Sequence, residues 1–325
     1  MALKPLNEAH ALQIQAGILG RKAGHSFEDR IAQEINFFSY PLDIVDPGAG
    51  HVFQGSPGAL CLRYIAVREG IDRITAATAL STGTLATSEE GKKCLSIGEA
   101  NVTRCKSDIV ITIAGGNGKS QTIGLSTKQC GTKRPTNAQL YFTTARGFAN
   151  LLQSNGIAVS KHAVLALRQF CGDQGFRPLD IPSSLKNRLT DPRRFFWEEI
   201  DPAGRNELER IFARRQEEIS RLLLQRAYLD DSFIPEYLLH KTRHADSWQK
   251  TEIALYSIPE LTVLSHAYQG FVTKPYSVRK GSRRDPPGVI HLAPRFGVIQ
   301  MQRGGQKQHP EQLQFNLEAG YFYKI

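Results

Sequence analysis

The chain has 325 residues, 41% of them apolar and 22% charged, with 41 Lys and Arg against 31 Asp and Glu for a formal charge of +10. That is too apolar for a disordered chain, and at roughly 100–200 residues per domain the length fits one large domain or two intimate ones. No window approaches the ~18 consecutive apolar residues of a membrane span. The opening MALKPLNEAHALQIQAG lacks the continuous apolar block of a signal peptide, so a cytoplasmic location is expected. Five cysteines (Cys61, Cys94, Cys105, Cys130 and Cys171) are odd in number and never form a CxxC. This pattern predicts reduced thiols and offers no zinc spacing.

In chain order, the first predicted element is a helix over Phe27–Phe38, with Phe27, Ile31, Ile35 and Phe38 on one face and Ser26 available as its N-cap. Residues 40–58 are rich in Pro and Gly and read as a loop. A helix is expected over Gly58–Ala77. Ser107–Ala114 (SDIVITIA) is β-branched and apolar and predicts a buried strand, GGNGKS a turn, and Gln121–Gln129 (QTIGLSTKQ) a second strand, together a β-hairpin. Helices are expected from Asn137 to Ser154 and from Ser160 to Phe170. A long amphipathic helix is expected over 203–229, with Leu208, Ile211, Phe212, Ile219, Leu222 and Leu223 as its apolar stripe. Beyond residue 253 the texture turns to short strands, around Thr262, Val289–Leu292, Gly297–Gln302 and Leu313–Leu317. The fold class read from this order is mixed α/β: a central sheet flanked by helices, with an added C-terminal β-rich part.

GGNGKS at 115–120 has the look of a phosphate loop. That loop needs a glycine five residues before its Gly-Lys pair, where this chain has Ile113, and a helix after the Lys-Ser, where it has strand-like Gln121–Leu125. The glycines are hairpin-turn chemistry, and Lys119 is expected to be exposed.

The positive charge is concentrated. Residues 271–310 hold Lys274, Arg279, Lys280, Arg283, Arg284, Arg295, Arg303 and Lys307 against the single acid Asp285. Tyr276, Phe296 and many glutamines, Gln300, Gln302, Gln306 and Gln308 among them, are interleaved with these residues. Arg and Lys neutralise phosphates, and Gln and Arg make bidentate hydrogen bonds to base edges. The segment reads as a nucleic-acid surface.

Metal-dependent phosphodiester cleavage needs acidic oxygens to hold Mg²⁺ beside the scissile phosphate. It also needs a positive group to orient water and offset the developing charge. The predicted hairpin can present such groups: Asp108 opens its first strand, and Ser126 and Lys128, two apart on the second, leave the same face of the sheet. The arrangement Asp108 … Ser126-x-Lys128 resembles the PD-(D/E)xK nuclease core, with Ser107-Asp108 in place of Pro-Asp and Ser126 in place of the second acid. The run Lys106-Ser107-Asp108-Ile109-Val110-Ile111 with Ile123-Gly124-Leu125-Ser126-Thr127-Lys128-Gln129 looks like the catalytic hairpin of type II restriction endonucleases. The ending Gln302-Arg303-Gly304-Gly305 … Leu313-Gln314-Phe315 is similar to that of several of them. The two resemblances together cover about a fifth of the chain.

The resemblance implies a Mg²⁺-dependent, site-specific double-strand DNA endonuclease. Its nuclease core would span residues 1–200, with the catalytic hairpin at 106–129. A helical and β-rich DNA-recognition part would span 201–325, packed as one unit with the core. It implies metal ligation by Asp108 and by a helix glutamate, for which Glu28 is the first candidate, then Glu34, then Glu99. Lys128 would position water, and Ser126 would stand in the acid's place. Arg283, Arg284 and Lys307 would grip phosphates, and Gln302, Arg303 and Gln308 would read bases. Recognition of a palindrome implies a homodimer, and the family implies a companion DNA methyltransferase in the host. The same residues leave room for a structure-directed repair or recombination nuclease, for an RNA-directed nuclease, and for a non-catalytic DNA-binding protein with a degenerate core. His162 and His291 are read as structural.

Overall fold

The computed structural model describes residues 24–83, 95–97, 100–102, 105–116, 118–185, 192–226, 231–277, 290–303 and 311–325. In chain order the elements are helix α1 (24–37), strands β1 (Leu42–Asp43) and β2 (Val52–Gln54), helix α2 (Pro57–Arg68), and strands β3 (Arg73–Ser81), β4 (Leu95–Ile97), β5 (Ala100–Val102), β6 (Ile109–Gly115), β7 (Ser120–Gln129) and β8 (Ala138–Thr144). Helices α3 (Ala145–Ser154), α4 (Lys161–Cys171), α5 (Pro202–Arg214) and α6 (Gln216–Gln225) follow, then strands β9 (Pro235–Lys241) and β10 (Glu252–Ser257) and helix α7 (Ile258–Ala267). The chain closes on strands β11 (Phe271–Ser277), β12 (Ile290–Phe296), β13 (Ile299–Arg303) and β14 (Gln312–Leu317), and one-turn segments join some of these elements. No helix among the described residues is long and apolar enough to cross a membrane.

A single boundary at residue 200 is the expectation from sequence; the chain instead divides into two compact units that each use two segments. The first is 1–138 with 224–261, the second 139–223 with 262–325. The first unit carries a mixed seven-stranded sheet in the order β1-β3-β6-β7-β9-β10-β2. Its neighbours are antiparallel except for β7 and β9, which run parallel. A parallel pair cannot be closed by a tight turn and needs a long crossover. Here the chain between β7 and β9 includes the whole 139–223 segment of the second unit.

The hairpin of β6 and β7 is the centre of that sheet and has the form its sequence predicts, with Ile109 opposite Leu125 and Ala114 opposite Ser120. At its turn Gly118 adopts φ +76°, a left-handed conformation that L side chains resist. The Gly115 N–H donates to the Lys119 carbonyl at 2.7 Å. GGNGKS is therefore a strand-to-strand turn, with Lys119 exposed. Ile109, Ile111, Ile113, Ile123 and Leu125 share one buried cluster with Phe27, Ile31 and Ile35 of α1 and Cys61, Leu62 and Ile65 of α2. Burying each such side chain contributes about 1.5–3 kcal/mol, so the apolar face of α1 fixes that helix against the hairpin. Ser26 lies inside α1 rather than capping it.

The second unit is built on a five-stranded sheet in the order β11-β12-β13-β14-β8. Phe212 of α5 is fully buried there, stacked on Phe296 at 5.1 Å and on Phe148 at 6.2 Å between ring centroids. The fold is thus mixed α/β, a mixed sheet flanked by helices with a second sheet added.

Four element boundaries differ from the sequence expectation. The helix over 58–77 ends at Arg68, and 73–81 is strand β3, whose alanines pair with β6. The helix over 137–154 is a strand to Thr144 and a helix from Ala145; the Thr144 hydroxyl accepts from the Gly147 N–H and caps α3. The long helix over 203–229 is two helices that meet at Arg215. Thr262 lies in helix α7, not in a strand.

Candidate active site

Asp108 sits at the first residue before β6, its N–H donating to the Leu125 carbonyl at 2.8 Å and its carbonyl accepting from the Thr82 N–H at 3.0 Å. These bonds anchor its backbone beside Leu125 at the open end of the hairpin, and its side chain reaches Ser126 and Lys128 on β7. Ser126 Oγ donates to Asp108 Oδ2 at 3.1 Å, and the Thr127 N–H donates to the same oxygen at 2.6 Å. Lys128 Nζ lies 3.5 Å from Asp108 Oδ2 and donates to Ser126 Oγ at 3.0 Å and to the Thr127 carbonyl at 2.6 Å. Oδ2 of this carboxylate thus gathers Ser126 Oγ, the Thr127 N–H and Lys128 Nζ.

Strand alternation sends Thr127 to the opposite face, toward α1. There Thr127 Oγ1 donates to Glu28 Oε1 at 3.0 Å. His25, one turn earlier on α1, places Nδ1 3.4 Å from Glu28 Oε2. Burial and the negative charge of Asp108 push the Glu28 carboxyl up from its ordinary 4.5, against the pull of Thr127, His25 and Lys128. A carboxyl raised in the folded state binds more protons folded than unfolded in the window just above 4.5, so stability falls as pH rises through it. Glu28→Gln is expected to reduce that slope, to which the raised carboxyls of Asp231 and Glu236 also contribute, and to give a higher thermal midpoint than the unsubstituted chain at pH 7 in EDTA. Thermal unfolding across pH in EDTA reads both.

The structure brings Glu28, Asp108, Ser126 and Lys128 together and leaves Glu34 out. Glu34 Oε2 accepts from the Gly58 N–H at the start of α2 at 3.0 Å and from Trp248 Nε1 at 2.8 Å. Its task is structural. Glu34→Ala strands two donors and is expected to cost about 1–3 kcal/mol of stability, read by urea unfolding, while the cluster at Asp108 keeps its hydrogen bonds. Glu99 lies outside the described residues.

Three further residues that the sequence reading did not single out surround the site. Burial and Lys128 lower the Lys106 ammonium to about 8, against the pull of Asp108 and Asp231. His240 of β9 is paired in register with Lys128, and burial together with that lysine holds its imidazole down at about 4, hence neutral at pH 7. His25 is the one a sequence could have offered, since three residues on a helix put it beside Glu28.

Hard oxygens dominate the cluster. Mg²⁺ takes one or two carboxylates and fills its remaining positions with water and phosphate oxygens; the carboxylates of this cluster that could serve are Asp108 and Glu28, each hydrogen-bonded to Thr127. Among the described residues no group of three or more His, Cys, Asp or Glu side chains converges as an all-protein metal cage.

Of the residues expected to contact DNA, Gln302 lies on the outward face of β13. It faces Gln314 of β14 in register, and Gln314 Nε2 donates to Gln139 Oε1 of β8 at 3.2 Å. Arg303 does not join this row. Alternation along β13 turns Ile299, Met301 and Arg303 inward, leaving Arg303 7% exposed, so the structure does not present it as a base reader. Arg283, Arg284, Lys307 and Gln308 lie outside the described residues. His291 is buried, with Nδ1 2.9 Å from Glu198 Oε1 and its ring stacked on Phe196. His162 Nδ1 lies 3.3 Å from Asp201 Oδ2. Cys61, Cys105, Cys130 and Cys171 are free thiols.

No family model matches the chain, and no curated protein matches it. Among solved structures it is similar to restriction endonuclease MspI in complex with its cognate DNA, at 13% identity and a TM-score of 0.41, over 76% of this chain and 71% of that one.

Proposed function

We propose that this chain is a Mg²⁺-dependent, sequence-specific double-strand DNA endonuclease of type II restriction type. The observation that carries the reading is the convergence of Asp108, Ser126 and Lys128 on one face of a β-hairpin, joined through Thr127 to Glu28 of α1. Asp108 and Glu28 would hold Mg²⁺, which when bound supplies Lewis-acid stabilisation of the scissile phosphate. Lys128 carries the positive charge that orients the attacking water and offsets charge on the phosphorane. Ser126 keeps Lys128 Nζ and Asp108 in register, and a neutral hydroxyl there leaves the site with one carboxylate fewer than the family pattern.

Charge supports DNA as the partner. The second unit carries 22 Lys and Arg against 13 Asp and Glu, a surplus of 9 within a whole-chain surplus of 10. Arg283, Arg284 and Lys307 are proposed to neutralise phosphates, and Gln302 and Gln308 to read base edges; amides do so by bidentate hydrogen bonds to adenine. A palindromic site would be read by a homodimer. A companion methyltransferase and a cytoplasmic setting complete the reading.

The experiment is to digest unmethylated phage DNA with Mg²⁺ and sequence the ends. One recurring palindromic motif at every end is the expected result; ends spread over unrelated sequences would replace the reading with a structure-directed nuclease. A second reading is favoured by one observation, the serine at position 126: a DNA-binding protein with a degenerate core, which would bind DNA and leave it intact.

A further inference from the structure

We propose that Thr127 is the positioning residue that sets the two carboxylates of the site relative to one another, an inference that rests on the metal-site reading above. Each polar group of this residue is engaged by a different member of the cluster. Its N–H donates to Asp108 Oδ2 at 2.6 Å, its hydroxyl to Glu28 Oε1 at 3.0 Å, and its carbonyl accepts from Lys128 Nζ at 2.6 Å. Asp108 and Lys128 lie on one face of β7 and Glu28 on the other, so a residue at the strand itself is needed to couple them. Glu28 arrives on a helix 99 residues away in sequence, and a carboxylate on a long side chain has rotamers to lose. A buried, β-branched threonine is stiff at χ1 and aims its hydroxyl along one direction, which Gly or Ala could not do.

Partners that orient metal ligands without touching the metal typically contribute ~10–100-fold in metal affinity. Thr127→Val keeps the shape and the backbone N–H and removes only the hydroxyl. Mn²⁺ is a suitable paramagnetic probe for a Mg²⁺ site, and its binding to the DNA-free chain can be followed by the signal of free Mn²⁺. The expected result is that Thr127→Val binds Mn²⁺ ~10–100-fold more weakly, with unchanged circular dichroism and unchanged DNA affinity in EDTA. Thr127→Ser, which restores the hydroxyl, returns the affinity to within a few fold.

Unaltered Mn²⁺ affinity in Thr127→Val, alongside a loss in Asp108→Asn, would overturn the role of Thr127 and leave the metal site standing. Failure of Thr127→Ser to restore affinity would overturn it too, by assigning the effect to methyl packing. Mn²⁺ binding that is absent in the unsubstituted chain, or indifferent to Asp108→Asn, would overturn the metal site and this inference together.

Discussion

Lys128→Met is expected to slow DNA cleavage by ~10²–10³-fold, the cost of removing one preorganised donor from a developing charge, and Asp108→Asn by at least ~10³-fold, about 4 kcal/mol. The two differ in what they remove. Methionine keeps the apolar stem of Lys128 and deletes the ammonium that spans Ser126 Oγ, the Thr127 carbonyl and Asp108. Asparagine keeps an acceptor for the Thr127 N–H and the Ser126 hydroxyl while removing the charge a cation requires. Raising Mg²⁺ is expected to recover part of the loss in Asp108→Asn and none in Lys128→Met, since the lysine acts on water and phosphate. Single-turnover rates against Mg²⁺ concentration check both. Equal rates in Lys128→Met and the unsubstituted chain would remove the hairpin from the mechanism.

The largest stability effect is expected at Gly124. A Cβ on this strand residue would overlap Ser107 Oγ and come within 2.6 Å of the Ile234 carbonyl oxygen. Ser107 cannot turn away cheaply, because its hydroxyl donates to the Phe233 carbonyl at 2.6 Å. Ile234 is met by its backbone, so relief requires moving the chain that leads into β9. Gly124→Val is therefore expected at the upper end of overpacking costs, ~3 kcal/mol, far beyond the ~1 kcal/mol gained by restricting the unfolded chain. Because Ser107 adjoins Asp108, cleavage should fall along with the urea midpoint. Gly124→Val with the original midpoint would mean that the strand has room here that its contacts do not show.

The hairpin was readable because a run of β-branched residues, a glycine turn and a second alternating strand all favour one local structure. Its neighbours were not. Strand β3, ITAATALS, is rich in alanine, the best helix former, and is a strand because β6 and β1 pair with it on both sides. The start of β8, Ala138-Gln139-Leu140, reads as a helix because all three are good helix formers, although the consecutive threonines before Ala145 mark a cap. Asp108 and Lys128 could be paired from spacing along two strands. Glu28 could only be nominated, since the α1 face that buries Ile31 and Ile35 decides which glutamate reaches the sheet. Thr127 gave no signal. At the unassigned middle position of Ser-x-Lys its side chain faces away from its neighbours, and its partner is far off in the chain.

The charge of the second unit and the cluster of the first meet in one direct measurement: incubating unmethylated phage DNA with the unsubstituted chain and with Asp108→Asn, each in Mg²⁺ and in EDTA. The account predicts discrete fragments from the unsubstituted chain in Mg²⁺ alone and intact DNA in the other three lanes. Fragments that persist in EDTA, or that Asp108→Asn produces as fast, would contradict it.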